Sequence, residues 1–512
     1  MLREALDAYH LGKFEQAIVK FQAKLAQDPH SGEAYAGLTR CYLRQERIDL
    51  AYTTASRGTT DVPDSVAAHV ALGEVLFRQA KMGEAERELL RGVNTSKQDP
   101  QAFLDLVRLY DAYSMHASAR KMLNKAHDLA PDDPDVQRVW IRTRPRTEQI
   151  KWLEEQLNAA SKEDEDTRSS RKERLDFLRA RESEPRTCKL VENPKEVEAR
   201  LEPLLLDPRH FYGFGLTAKI NGQSSKLHLD TGASGIFINK RLAQKAGIKP
   251  LISTSYYGIG DKGEQRGYIG YADSIKVGGL EFQNCLVEVS ETRSILSDDG
   301  LIGADVFSRY LVTIDFFWQK LRLQQLPQRP GATESATSVL PQDDDEAETG
   351  TGEMQKKEAQ PVAATGPQDR YIAPEMANYT KIFRVGHDLL IPVAVGNTPA
   401  KLFLIDTGAM ANSISPEAAR EVTKVRGDDF TTIKGVSGTV KKVYSADTAV
   451  LTFSHYRQEN QEMTSIDMSH ISRNTGTEVS GILGMTTLRR FIIKIDYRDG
   501  LVDFVYENDV KK

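Results

Sequence analysis

The sequence predicts a multidomain chain: an all-α solenoid of helical repeats, then two small, mainly-β lobes forming a pseudo-twofold unit. Three observations carry this reading. A 34-residue period runs through the N-terminal third and places Ala17, Ala51, Ala85 and Ala119 in one column. The tripeptide Asp-Thr-Gly occurs twice, at Asp230-Thr231-Gly232 and Asp406-Thr407-Gly408, each time closing an apolar run. Between the two copies lies a stretch rich in Pro, Gly, Ser, Thr, Ala and acids, which cannot build a core.

In the repeat region a second column reads Phe21, Ala55, Leu89 and Leu123, and a third reads Tyr42, Leu76 and Tyr110. Pro29, Pro63 and Pro131 keep the same phase; Lys97 fills the remaining slot, with Pro100 three residues late. Alanine lets two helices approach closely, and proline stops the second helix of each pair. Residues 1–134 hold about four such units, enough for a continuous core. The pattern resembles tetratricopeptide repeats, and the resemblance implies a concave face that takes a peptide or a protein partner. A spacer or a dimerisation surface is the competing reading. His10, His30, His69, His116 and His127 never pair at metal-ligand spacing and read as surface or interhelix residues.

Residues 135–204 are charged and helix-prone, with Trp152, Leu153, Leu157, Leu175 and Leu178 as apolar anchors between blocks of alternating sign. They read as a solvated linking helix.

The lobes are expected at 205–326 and 371–509. Residues 327–370, including Asp343-Asp344-Asp345-Glu346, form a flexible acidic linker. A coil of this length spans roughly 35–40 Å in root mean square. It keeps the lobes at an effective concentration on the order of millimolar, so pairing within one chain is favoured over pairing between chains.

The two lobes repeat each other in order. Eight residues after each Asp stands an Ile (Ile238, Ile414), followed by a helix start at Asn239 or at Ser415-Pro416. A glycine-centred hairpin follows: Tyr257-Gly258-Ile259-Gly260 in one copy, Gly435-Val436-Ser437-Gly438 in the other. Leu301-Ile302-Gly303 then matches Ile482-Leu483-Gly484, and twelve residues past each glycine comes Asp315 or Asp496. These last two acids read as structural, beside turns.

An acid closing a buried strand is costly to hold ionised. Two of them in matching settings point to a carboxylate pair that shares one proton. The ionised member takes a proton from water while the protonated member polarises a carbonyl. That chemistry needs no metal and no cofactor, and predicts a bell-shaped pH dependence on the acidic side.

With these motifs in view, each lobe resembles one lobe of a retropepsin-like aspartic protease. The resemblance implies that Asp230 and Asp406 are the catalytic pair of an aspartic endopeptidase acting on a peptide or protein substrate. It implies that Thr231 and Thr407 bond across the lobe interface, and that Gly232 and Gly408 let backbone approach the active water. Tyr257, Gly258 and Gly260, and Gly435 and Gly438, would form flaps, Tyr256 being the rival of Tyr257. Gly303 and Gly484 would pack behind the catalytic loops. The alternative is an inactive peptide-binding scaffold, against which the two intact Asp-Thr-Gly copies weigh.

The net charge of −5 argues against nucleic-acid binding. No apolar stretch is long enough to span a bilayer. The start, Met1-Leu2-Arg3-Glu4-Ala5, reads as amphipathic helix without a secretory h-region, so a cytoplasmic location is the default and an exported one follows if a signal lies outside this sequence. Cys41, Cys188 and Cys285 imply no disulfide framework and read as small apolar residues.

Overall fold

The structure is a computed structural model and describes residues 1–96, 98–159, 165–183, 186–256, 258, 265–291, 299–330, 369–435, 438–440 and 442–506. It divides into two compact units, one holding the helical repeats and the other holding both lobes.

The repeat unit is built from helix pairs: α1 (Leu2–His10) with α2 (Phe14–Gln27), α3 (Gly32–Arg44) with α4 (Ile48–Asp61), α5 (Val66–Arg78) with α6 (Met82–Thr95), and α7 (Pro100–Ala112) with α8 (His116–Leu129). The second helices start at residues 14, 48, 82 and 116, which keeps the 34-residue period. The period exists because the column alanines Ala17, Ala51, Ala85 and Ala119 are buried at the contact with the partner helix. Pro100 is the first residue of α7, capped by the Asp99 carboxylate, and so starts a helix rather than ending one.

The stack runs past 134. Asp133 caps α9 (Pro134–Trp140), whose Val136 is buried in one core with Ala119, Leu123 and Ala126. Then α10 (Arg146–Ala159) and α11 (Glu165–Ser183) pair through Ile150, Leu153, Leu175 and Leu178. The histidines serve contacts between elements: buried His69, for example, bonds Glu88 at 2.6 Å and the Pro63 carbonyl at 2.8 Å.

The strands of the first lobe begin before residue 205, which moves the expected boundary. Glu196–Arg200 pairs with Lys320–Gln325, and Glu202–Asp207 pairs with His210–Ile220. Glu196-Val197-Glu198-Ala199-Arg200 is a period-two strand whose charges face out, and those charges gave it the look of a linker.

Each lobe folds around the same pairings. In lobe 1 the hairpin His210–Ile220/Gln223–Asp230 is joined in parallel by Gly300–Gly303, which pairs with Ile236–Asn239, which pairs with Leu280–Ser290. In lobe 2 the hairpin Asp388–Val395/Lys401–Ile405 is joined by Gly481–Leu483, then Ser413–Ile414, then Tyr456–Ser465, in the same senses. The lobes share a six-stranded sheet in which Tyr310–Asp315 of the first runs antiparallel to Phe491–Asp496 of the second. Buried Ile and Val side chains from both lobes form one hydrophobic core. In the shared sheet Asp315 accepts from the Trp318 amide at 2.8 Å and Asp496 from the Asp499 amide at 3.0 Å, so both acids hold turns.

Cys188 and Cys285 form a disulfide, which corrects their reading as isolated apolar residues. Strand Lys189–Leu190 pairs with Leu280–Ser290, and this pairing brings the two sulfurs together across 97 residues of sequence. Among the described residues no helix is long and apolar enough to cross a membrane.

Candidate active site

Both Asp-Thr-Gly turns sit at the ends of buried strands, where parallel pairing with Gly300–Gly303 or Gly481–Leu483 fixes their positions. Leu229 and Ile405 leave the lobe cores, and the turns that follow meet at the lobe interface.

The threonines tie the turns together reciprocally. The Thr231 amide donates to Thr407 Oγ1 at 3.1 Å, and the Thr407 amide donates to Thr231 Oγ1 at 3.0 Å. Each hydroxyl in turn donates to a carbonyl of the opposite lobe: Thr231 to Ile405 at 2.7 Å, Thr407 to Leu229 at 3.0 Å. Both threonines are buried, so all four bonds are shielded from water.

The glycines explain how the acids can meet. A Cβ on Gly408 would lie 2.4 Å from Asp230 Oδ2, and one on Gly232 would lie 2.9 Å from Asp406 Cγ. Each turn therefore admits the acid of the other lobe only because it has no side chain there. The Gly232 amide donates to Asp230 Oδ1 at 2.8 Å; the Gly408 and Ala409 amides donate to Asp406 Oδ1 at 2.8 and 3.0 Å.

Each of the two carboxyls shifts the titration of the other. Burial, and then the charge of Asp230, push the Asp406 carboxyl up to about 8. Burial also raises Asp230, opposed by the Gly232 amide and by Asp406. One proton held between the two satisfies both shifts. Burial and the neighbouring charge thus hold the shared proton on the pair up to about 8.

Behind the turns, the Gly303 amide donates to the Gly235 carbonyl at 2.8 Å, and the Met485 amide to the Ala409 carbonyl at 2.8 Å. A side chain on Gly303 or Gly484 would strike the Ala233, Ala409 or Ala411 carbonyls. Gly435 pairs with Gly438 in a two-stranded hairpin. Gly258 lies past strand Ile252–Tyr256, outside regular structure, and Tyr257 and Gly260 fall outside the described residues. Tyr256 is buried, with its hydroxyl 2.7 Å from Ser290 Oγ and its ring against Phe237, and so packs the strand.

Several supporting residues lie outside those singled out from the sequence. Asp305 accepts from Ser234 Oγ at 2.9 Å and from the Gly235 amide at 3.0 Å. In lobe 2 the turn is held instead by Asn412, which accepts from the Gly484 amide at 2.9 Å and donates to Thr487 Oγ1 at 2.6 Å. His387 Nε2 and the Asp388 carboxyl stand 3.4 Å apart, and burial raises Asp388. The Asp305 signal was available, two residues after Gly303 in a repeated motif; the corresponding lobe 2 residue is Thr486, which hid it.

Comparison with known proteins agrees with this geometry. Residues 216–309 match the family described as "gag-polyprotein putative aspartyl protease". That stretch is thus similar to retropepsin-like aspartic proteases. Residues 8–69 match the tetratricopeptide repeat family. The DNA damage-inducible protein 1 of Cryptococcus neoformans is 28% identical over 148 residues, 26% of this chain and 33% of that protein. The UBA domain-containing protein Mud1 of Schizosaccharomyces pombe is 29% identical over 114 residues, 22% of this chain and 33% of that protein. The chain thus spans a third of the length of these relatives. A crystal structure of an aspartic proteinase from Irpex lacteus overlays on 61% of this chain and 97% of its own, at 13% identity and a TM-score of 0.35, too low to carry weight.

Proposed function

We propose that the protein is an aspartic endopeptidase whose one active site is made by both lobes, with the repeats recruiting a partner or substrate. The observation that carries this reading is the crossed fit of the two turns, each glycine admitting the other lobe's carboxyl. Asp230 and Asp406 are the proposed catalytic pair. In the singly protonated state one carboxylate removes a proton from water as that water attacks the scissile carbonyl, and the other carboxyl donates to the carbonyl oxygen. The resulting tetrahedral intermediate collapses when the leaving nitrogen is protonated. The pair shares its proton, so neither residue has a fixed role. Thr231 and Thr407 hold the turns in register; Gly232 and Gly408 keep the space in which water and carboxyls meet. The expected flaps, 257–260 and 435–438, would cover the peptide.

The test is cleavage of a mixed peptide library from acid pH up to about 8, comparing the parent with Asp230→Asn and Asp406→Asn. Cleavage by the parent that is lost in each variant supports the reading. A parent that cuts nothing across the range would leave a peptide-binding scaffold as the better account.

A further inference from the structure

Glu288 lies on strand Leu280–Ser290, three strands across the sheet from the strand that ends in Asp230. The register settles which way its side chain points. Leu229, Ile302, Ile238 and Val289 turn into the hydrophobic core. The residues alternating with them, Asp230, Leu301, Phe237 and Glu288, therefore share the opposite face of the sheet. The cross-strand pairs agree: Gly303 stands opposite Asp230, Leu301 opposite Phe237, and Phe237 opposite Glu288.

Phe237 and Leu301 form a small apolar cluster with Tyr256, joined by Ala233 from the turn that follows Asp230. An apolar wall thus runs over this face from the Asp230 turn to Glu288. Strands lie about 4.8 Å apart, so Glu288 stands roughly 14 Å along the face from the strand that carries Asp230.

Glu288 is partly buried, and among the described residues its carboxyl has no hydrogen bond and no ion pair. Burial alone pushes it up to about 7. An unpaired carboxylate beside Phe237 and Ile269 weakens a fold that a neutral side chain would serve as well. A cation arriving from outside removes that penalty.

Lobe 2 has no such acid. Its paired strands set Ser413 against Thr464 where lobe 1 sets Phe237 against Glu288. The carboxyl therefore marks one side of the site and not the other.

We propose, on the endopeptidase reading above, that Glu288 is a specificity-determining residue whose carboxylate receives a lysine or arginine side chain of the substrate, on one side of the scissile bond. An extended peptide advances about 3.3 Å per residue, so a long basic side chain meets the acid from a few residues beyond the cut. Its aliphatic stem lies along Phe237 and Leu301 while its charge meets the carboxylate. An acidic substrate residue at the same place is repelled.

The test takes one peptide that the full chain cleaves, replaces each residue near the cut in turn by Lys, norleucine or Glu, and reads kcat/KM. Lysine is expected to exceed norleucine about tenfold at one place on one side of the cut, with glutamate below both. Glu288→Gln should remove that advantage and leave the norleucine peptide nearly unchanged. Glu288→Asp should keep part of it, and Glu288→Lys should favour the glutamate peptide. Circular dichroism matching the parent is required of each variant, and the Gln variant decides if the Lys variant fails to fold. A parent without a preference for lysine, or a lysine preference that persists in Glu288→Gln, would overturn the assignment and leave the endopeptidase standing. A loss shared equally by all peptides would mark a structural role and overturn it too. A chain that cuts nothing in the mixed library would remove both readings.

Discussion

In lobe 1 the turn after Asp230 is held by a carboxylate, Asp305, reaching Ser234 and the Gly235 amide. In lobe 2 the turn after Asp406 is held by neutral groups, with Asn412 between the Gly484 amide and Thr487. A disulfide braces lobe 1 beside strand Lys189–Leu190. Against these differences, the threonine bonds, the crossed glycines and the glycine amide that donates to each acid are the same in both. The lobes agree wherever one must serve the other and differ where each serves only itself. A shared site explains that division, since a change in a crossed contact would damage both halves at once.

The largest expected effect tests the shared part. Asp230→Asn and Asp406→Asn should each lower peptide cleavage by roughly 10²–10⁴-fold, measured as kcat/KM.

Reduction of Cys188–Cys285 comes next and tests the asymmetry. The bridge closes a span of 97 residues, so removing it should cost about 2–5 kcal/mol in denaturant unfolding. The loss should be greatest in hydrogen-exchange protection of lobe 1. An equal loss in lobe 2 would mean that the lobes unfold as one.

Gly408→Ala would place a methyl against Asp230, and Thr407→Val would remove two cross-lobe bonds and leave the Thr231 amide without its acceptor. Each should cost about 1–3 kcal/mol by thermal or denaturant unfolding. Equal activity in parent and Gly408→Ala would contradict the crossed fit.

Asp406 gives a pH signature. Its carboxyl is held up to about 8 in the fold against 3.8 as an ordinary group, so between those limits the folded chain binds more protons than the unfolded. Its stabilising contribution is full below about pH 4 and is lost as the pH rises toward 8. Asp406→Asn should therefore raise the Tm relative to the parent more at pH 8 than at pH 4. Activity should fall on the alkaline side near about 8, as the shared proton leaves.

The smallest effect is Asp305→Asn, which keeps an acceptor for Ser234 and the Gly235 amide and should cost less than about 1 kcal/mol.

The sequence revealed most of the site because a repeated motif needs no long-range knowledge: Asp230 and Asp406 announce each other. It did not show what depends on contacts distant in the chain. The bond from the Thr231 amide to Thr407 crosses 176 residues. The cystine joins two cysteines whose spacing carried no pattern. Strand Glu196–Arg200 was hidden by the charges on its outer face, and α9 by the proline that opens it.

The most direct test is a double-mutant cycle on one cleaved peptide, comparing the parent, Asp230→Asn, Asp406→Asn and the double variant. A shared site predicts that the double variant is no slower than either single one, because the first loss already removes the working pair. Single variants that each keep a large share of the parent rate, with losses that multiply in the double variant, would mean two independent sites and contradict the account.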